Sequence, residues 1–220
     1  MTIAEYYLTR EAVEQAVPMT YEQFLALPDP IQAEWVDGIG TIFALPNTHH
    51  QELLGFLATL VGTFVELNQL GTTPFAPYEM LLAPNNRREP DLLFVGNANH
   101  ERITPKRLEG PADLVVELIS TESSHRDRVD KFDAYEAAGV REYWLIDPRP
   151  NRNRANFYHL DPHGQYQPIL LDAEGRFTSV VLPNFMLSVD WLWQEPLPAL
   201  LSALAAMVEP AVLLAALQRP

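Results

Sequence analysis

Three short apolar runs limit what this chain of 220 residues can fold into. They are Leu92-Leu93-Phe94-Val95, Leu114-Val115-Val116 continuing to Leu118-Ile119, and Tyr143-Trp144-Leu145-Ile146. None shows the polar–apolar alternation of a strand with one wet face, so each suits a strand buried on both faces. Pro90 marks the entrance to the first run and Pro148 the exit from the third, because proline cannot donate to a sheet ladder. A sheet covered on both faces needs helices. The spacing predicts a long one from about Thr48 to Asn68, capped by Asn47, with Leu53, Leu54, Phe56, Leu57, Leu60, Val61, Phe64 and Val65 on one broad stripe and Gly71 ending it. A second starts at Ser123 or Ser124 and reaches Ala138, with Gly139 as its stop. The expected class is α/β, a mixed central β-sheet flanked by helices.

Shorter signals fill in the rest. Thr20-Tyr21-Glu22-Gln23 is a capping box that opens a helix through Leu27. Glu34 to Gly38 reads as a strand entering a turn, with Thr41 to Ala44 returning. Glu79 to Leu82 is a further strand, followed by a turn at Pro84-Asn85-Asn86. Asn156 to Leu160, Tyr166 to Leu171 and Thr178 to Leu182 read as antiparallel strands. The expected organisation is a leader over 1–18, a core domain over 19–193 and an apolar helical tail over 194–220. Pro198, Ser202, Glu209 and Pro210 interrupt that tail, so it is too broken to span a membrane. One or two short buried helices, at a candidate subunit interface, are expected there.

Cysteine is absent, which excludes disulfides and thiolate metal sites. Met1 to Tyr7 lacks a basic region followed by an apolar run, so no signal peptide is expected and a cytoplasmic protein is the simplest reading. The net charge of −14 argues against tight non-specific binding to nucleic acid, but it is unevenly spread. Residues 86–154 hold 12 of the 15 Lys and Arg beside 13 acids, leaving that region at −1 and the rest at −13.

The chemistry concentrates in that near-neutral region. Glu117 interrupts an apolar strand, and an ionised carboxylate is costly to bury without a cation or metal. The alternative is a core glutamate paired with Arg or Lys. Asp91 stands at a strand entrance, where it is either a turn residue or a second acid beside Glu117. Lys131 shares a helical face with Asp127 and Tyr135, which suits either a solvated ion pair or a site cation. Glu34 is an exposed strand residue or a further carboxylate. His50, near the start of the long helix, is a surface residue, a helix-end partner or part of the site. The chain has no phosphate-binding glycine loop and no nucleophile elbow.

With these residues in view, the chain resembles the restriction-endonuclease-like Uma family, within the PD-(D/E)XK nuclease superfamily, over about residues 19–193. The resemblance rests on Thr20 to Phe24, Glu34 to Gly38, His50, Glu89-Pro90-Asp91 with the following apolar run, Asp113 to Ser120, Asp127 with Lys131 and Tyr135, and Gly139 to Pro148. It implies a restriction-endonuclease-like core with a metal site at a strand fork. Asp91 matches the Asp of the PD motif and Glu117 the second acid. The residue two beyond that acid, usually Lys in the superfamily, is Ile119 here, and the resemblance points instead to Lys131 on the following helix. Glu34 would be a further acid and His50 a family histidine near the site. The turn residues Ile39-Gly40 and the tail beyond Trp193 depart from the family pattern.

The implied function is a metal-dependent endonuclease acting on DNA. Asp91, Glu117 and the backbone carbonyl of Leu118 would hold Mg²⁺ or Mn²⁺, with Glu34 supporting a further ion. Lys131 would orient or deprotonate a water, or stabilise charge on the phosphate. A homodimer is expected from the same likeness. The alternatives are a non-catalytic binding or assembly protein on a nuclease scaffold, and a phosphodiesterase for RNA or small nucleotides.

Overall fold

The three apolar runs become adjacent strands of one sheet. The computed structural model of the chain describes residues 15–28, 31, 33–42, 48–119, 125–149 and 151–218, without the side chains of 125–128 and 217. Its strands are β1 (Gln15–Pro18), β2 (Ala33–Val36), β3 (Ile39–Ile42), β4 (Gly71–Thr72), β5 (Glu79–Ala83), β6 (Asn86–Arg88) and β7 (Leu92–Gly96). They continue as β8 (Arg107–Glu109), β9 (Leu114–Leu118), β10 (Glu142–Asp147), β11 (Arg154–Leu160), β12 (Tyr166–Pro168), β13 (Arg176–Thr178) and β14 (Met186–Ser188). The helices are α1 (Tyr21–Leu25), α2 (Thr48–Leu67), α3 (His125–Ala138), α4 (Leu200–Ala205) and α5 (Pro210–Leu217).

The main sheet has the order β12-β11-β10-β9-β7-β4. It is mixed: β9 and β10 are parallel and the other pairs antiparallel. A parallel pair needs a long crossover, and α3 supplies it. A second sheet, β1-β3-β2-β6-β5-β8, brings the hairpin of β2 and β3 beside β6.

Alternation along the strands divides the core in two. Leu114, Val116, Leu118, Trp144, Ile146 and Phe157 face α2 and its stripe of Leu53, Leu57, Leu60, Val61 and Phe64. Ala203, Leu204 and Val208 of the apolar tail close the same core. On the other face Leu93, Val95, Val115 and Tyr143 pack with Tyr135 of α3 and with Met80 and Leu108 of the second sheet. Among the described residues no helix is long and apolar enough to cross a membrane.

Most expected elements form, and the differences have physical reasons. The Thr20–Gln23 capping box is complete, with Gln23 N donating to Thr20 Oγ1 at 3.3 Å and Thr20 N to Gln23 Oε1 at 2.8 Å. Its helix ends at Leu25 rather than Leu27. Gly71 does not end α2. That helix stops at Leu67, and Gly71 sits in β4, where a Cβ would collide with the Val95 carbonyl oxygen. Strand β13 covers Arg176 to Thr178 and pairs with β14, not with β12. The expected continuation to Leu182 fails because the amides of Val180 and Val181 turn onto the buried Glu142 carboxylate. The expected caps Asn47, Ser123 and Ser124, and the strand end at Phe43 and Ala44, lie outside the described residues.

Candidate active site

Asp91 and Glu117 meet where β7 and β9 part. The strands are antiparallel with Leu92 opposite Val116, and one step further along that register sets Asp91 beside Glu117. Asp91 Oδ2 accepts from the Leu118 amide at 2.7 Å, so the acid that precedes one strand closes the end of the next. About 20% of the Asp91 side chain remains exposed, which leaves the site an opening. Glu117 lies on the α3 face with Val115, and only 7% of it is exposed.

Helix α3 brings the cation. Lys131 Nζ lies 3.1 Å from both Glu117 oxygens and 3.1 Å from Glu34 Oε1. One helical turn on, the Tyr135 hydroxyl donates to Glu117 Oε1 at 2.6 Å. The turn spacing of Lys131 and Tyr135 therefore serves a buried carboxylate, not a solvated face. Backbone placement puts Asp127 on the same helix, but its side chain lies outside the described residues.

The second sheet supplies Glu34 and Arg88. Trp35 opposes Arg87 in the β2–β6 pairing, and Arg88 Nη1 reaches Glu34 Oε2 at 3.1 Å. The Glu89 amide donates to Glu34 Oε1 at 3.0 Å. Glu34 is thus buried and held by two cations, not an exposed strand residue. Arg87 turns away, pairing with Glu79 at 2.8 Å and lying 4.0 Å over the Tyr21 ring. His50 comes from the first turn of α2. Its Nε2 is 3.3 Å from the Leu118 carbonyl and 3.8 Å from Asp91 Oδ2.

The structure therefore brings all the anticipated residues together: Glu34, His50, Asp91, Glu117, the Leu118 carbonyl and Lys131. Sequence reasoning missed Arg88 and the proximity of Glu89. The signal was faint: Arg88 belongs to a strand of three residues between the Asn85 turn and Pro90, too short to show a period.

Burial dominates the electrostatics. It pushes Glu117 up to about 7, opposed by Lys131 and reinforced by Asp91 and Glu34. Asp91 rises to about 6 for the same reason, opposed by the Leu118 amide and Lys131. Glu89 rises to about 7 through burial and the Glu34 charge. Burial would raise Glu34 as well, but Lys131 and Arg88 overcome it and hold it below the usual carboxylate range. Burial also disfavours charge on Lys131, yet Glu117, Glu34 and Asp91 outweigh it, so the ammonium stays protonated well above the usual lysine range. His50 is lowered by burial more than the Leu118 carbonyl and Glu117 raise it, which disfavours the charged imidazolium.

Among the described residues no three His, Asp or Glu side chains are grouped to hold a metal ion. The donor set still suits a hard divalent cation in kind. The Asp91 and Glu117 carboxylates and the Leu118 carbonyl are all oxygen donors. The acids Glu34 and Glu117, both buried, with the half-buried Glu89 and Asp91, also outnumber Arg88 and Lys131, the cations beside them.

The family model described as "Uma2: Putative restriction endonuclease" matches residues 21–190. Among solved structures, the chain is similar to the crystal structure of a putative nuclease belonging to DUF820 from Anabaena variabilis ATCC 29413. The TM-score is 0.64 at 17% sequence identity, over 80% of this chain and 98% of that one. At that identity the likeness speaks to the fold. No curated protein matches the chain.

Proposed function

The chain belongs to the Uma2 family of putative restriction endonucleases, and from that premise we propose that it is a metal-dependent endonuclease hydrolysing DNA phosphodiester bonds. The observation that carries the reading is the strand fork at which Asp91 and Glu117 converge beside the partly buried Lys131 ammonium. Ordinary core packing gives no reason to hold several acids around one lysine.

In this reading Asp91, Glu117 and the Leu118 carbonyl would hold Mg²⁺ or Mn²⁺, with Glu34 as a further carboxylate. A bound ion would supply positive charge at the scissile phosphate and a water of lowered pKa. The protein groups do the remaining work. Lys131, kept protonated by three carboxylates, stabilises negative charge that develops on the phosphate oxygens. That protonation favours charge stabilisation over the proton abstraction also considered for Lys131. His50 donates Nε2–H to the Leu118 carbonyl and fixes its direction. Arg88 holds Glu34, and Tyr135 holds Glu117, in place for these roles.

The test is plasmid cleavage with Mg²⁺ or Mn²⁺ by wild type, Asp91→Ala and Glu117→Ala. Loss of cleavage in both variants supports the assignment. Equal cleavage by all three preparations points to a contaminant and sinks it.

One observation favours a second reading, a non-catalytic binding or assembly protein on the same scaffold. Lys131 already engages both Glu117 oxygens, so a cation must displace part of an existing ion pair. Calorimetric titration with Mn²⁺ separates the two, since a scaffold protein needs no metal. The exposed Leu201 and Leu214 of α4 and α5 support a homodimer through the apolar tail, which light scattering tests.

A further inference from the structure

A groove of about 550 Å³ lies beside the candidate site and is not used by the mechanism above. Its position follows from strand register. Glu117 pairs with Leu145, and Leu145 with Asn156; one step further, Asp147 pairs with Arg154. These side chains share the α3 face of the sheet, as does Ile119, two residues beyond Glu117. The groove is therefore the continuation of the Glu117 face across β10 and β11. Two inter-strand spacings separate Asn156 from Glu117, roughly 10 Å, the reach of a neighbouring nucleotide.

The lining is divided. Ile119, Val129, Phe132 and Leu145 make an apolar floor, and Arg152, Arg154 and Asn156 make a polar rim. Val129 lines the groove and is 46% exposed. Asp147 also lines the groove, but its carboxylate is held bidentately by Arg149 at 2.7 and 2.6 Å. Among the described residues Arg152 and Arg154 form no ion pair, and Arg154 Nε meets only Asn156 Oδ1 at 3.1 Å. Among the described residues neither arginine meets a carboxylate, and both line the groove together with its apolar side chains.

We propose that this groove binds one unpaired nucleobase of the substrate strand, next to the scissile phosphate, with Arg152 and Arg154 on its flanking phosphates. The proposal rests on the nuclease reading of the adjacent acids. A paired duplex offers a convex surface of phosphates and keeps its base faces stacked, so it has nothing to put into an apolar hollow. An unpaired nucleotide leaves a base face free for the apolar floor, and its flanking phosphates supply anionic partners for Arg152 and Arg154. The substrate class is then DNA with a single-stranded or extruded nucleotide at the cleavage position.

Binding in EDTA tests this apart from cleavage. The probes are three fluorescein-labelled DNAs: a fully paired duplex, the same duplex with one bulged nucleotide, and the single strand. Anisotropy is expected to show wild type binding the last two roughly ten-fold more tightly than the paired duplex. Val129→Trp fills the groove and is expected to erase that preference; Val129 is exposed enough to accept the change, which circular dichroism checks. Arg152→Ala with Arg154→Ala is expected to weaken binding of all three probes and to lower the salt dependence by roughly one to two units of slope. Absence of binding, absence of preference, or a preference untouched by either variant overturns the proposal. A preference without cleavage under any metal leaves the groove standing and removes the nuclease reading. Cleavage that depends on Asp91 and Glu117 but ignores strand pairing does the reverse.

Discussion

Lys131 bridges two sheets: its ammonium lies 3.1 Å from Glu117 on β9 and 3.1 Å from Glu34 on β2. Removing one member of a buried ion pair leaves the other charge uncompensated, at a cost of about 3–5 kcal/mol. Lys131→Met is expected to lower unfolding free energy by that order at pH 8, measured by urea denaturation. The loss is expected to shrink at pH 5, where Glu117 can accept a proton. Adding Glu117→Gln is expected to recover part of it. A single variant as stable as wild type at pH 8 would mean that the bridge is not formed.

The raised acids set the pH dependence of the metal-free protein. Asp91 and Glu117 titrate near 6 and 7 in the folded chain, against ordinary values of 3.8 and 4.5. The folded state therefore holds more protons than the unfolded state across that window. Stability from these groups is full below the ordinary values and is lost as pH rises through the folded ones. In EDTA the melting temperature is expected to fall between pH 5 and 8. Mg²⁺ is expected to restore it more at pH 8 than at pH 5, because a cation competes with the proton for the same oxygens. A melting temperature unchanged by pH in EDTA would contradict the raised titration of both acids.

Asp91 has a structural role that can be separated from a chemical one. Its Oδ2 accepts from the Leu118 amide at 2.7 Å. Asp91→Ala leaves that amide unpaired and is expected to cost about 1–3 kcal/mol. Asp91→Asn keeps an acceptor there and is expected to cost less than Asp91→Ala. Both are expected to reduce metal-dependent cleavage by roughly 100-fold or more, since neither offers a metal an anionic oxygen. Full cleavage by Asp91→Asn would exclude Asp91 as a ligand.

What was legible in advance follows burial. The runs at Leu92, Leu114 and Tyr143 announced the central sheet because a strand covered on both faces leaves no polar position to confuse the pattern. Glu117 was legible because one acid inside such a run demands a partner. Strand β6 was not, since three residues carry no period, and with it went the Arg88–Glu34 pair. The groove beyond Glu117 depends on the β9–β10–β11 register, which is a property of pairing between distant segments.

Glu142 marks the limit of that reasoning, because it too is a buried glutamate in an apolar strand. It pairs with Leu114, on the face opposite Glu117, and meets donors instead of cations. Trp144 Nε1 at 2.7 Å, Ser179 Oγ at 2.8 Å and the amides of Val180 and Val181 at 2.5 and 3.0 Å all donate to it. Burial raises its pKa, and these hydrogen bonds oppose the rise. Nothing in the strand pattern separates Glu142 from Glu117; their partners do. Glu142→Ala leaves several buried donors unpaired, each at about 1–3 kcal/mol, and releases the turn after β13. Its unfolding free energy is expected to drop by roughly 3 kcal/mol or more, while cleavage per folded molecule stays at the wild-type level. Glu117→Gln is expected to lose cleavage while remaining folded, because Lys131 keeps Glu34 as an ion-pair partner. Parallel urea denaturation and plasmid cleavage on the two variants measure both effects, and loss of cleavage per folded molecule in Glu142→Ala would break the distinction.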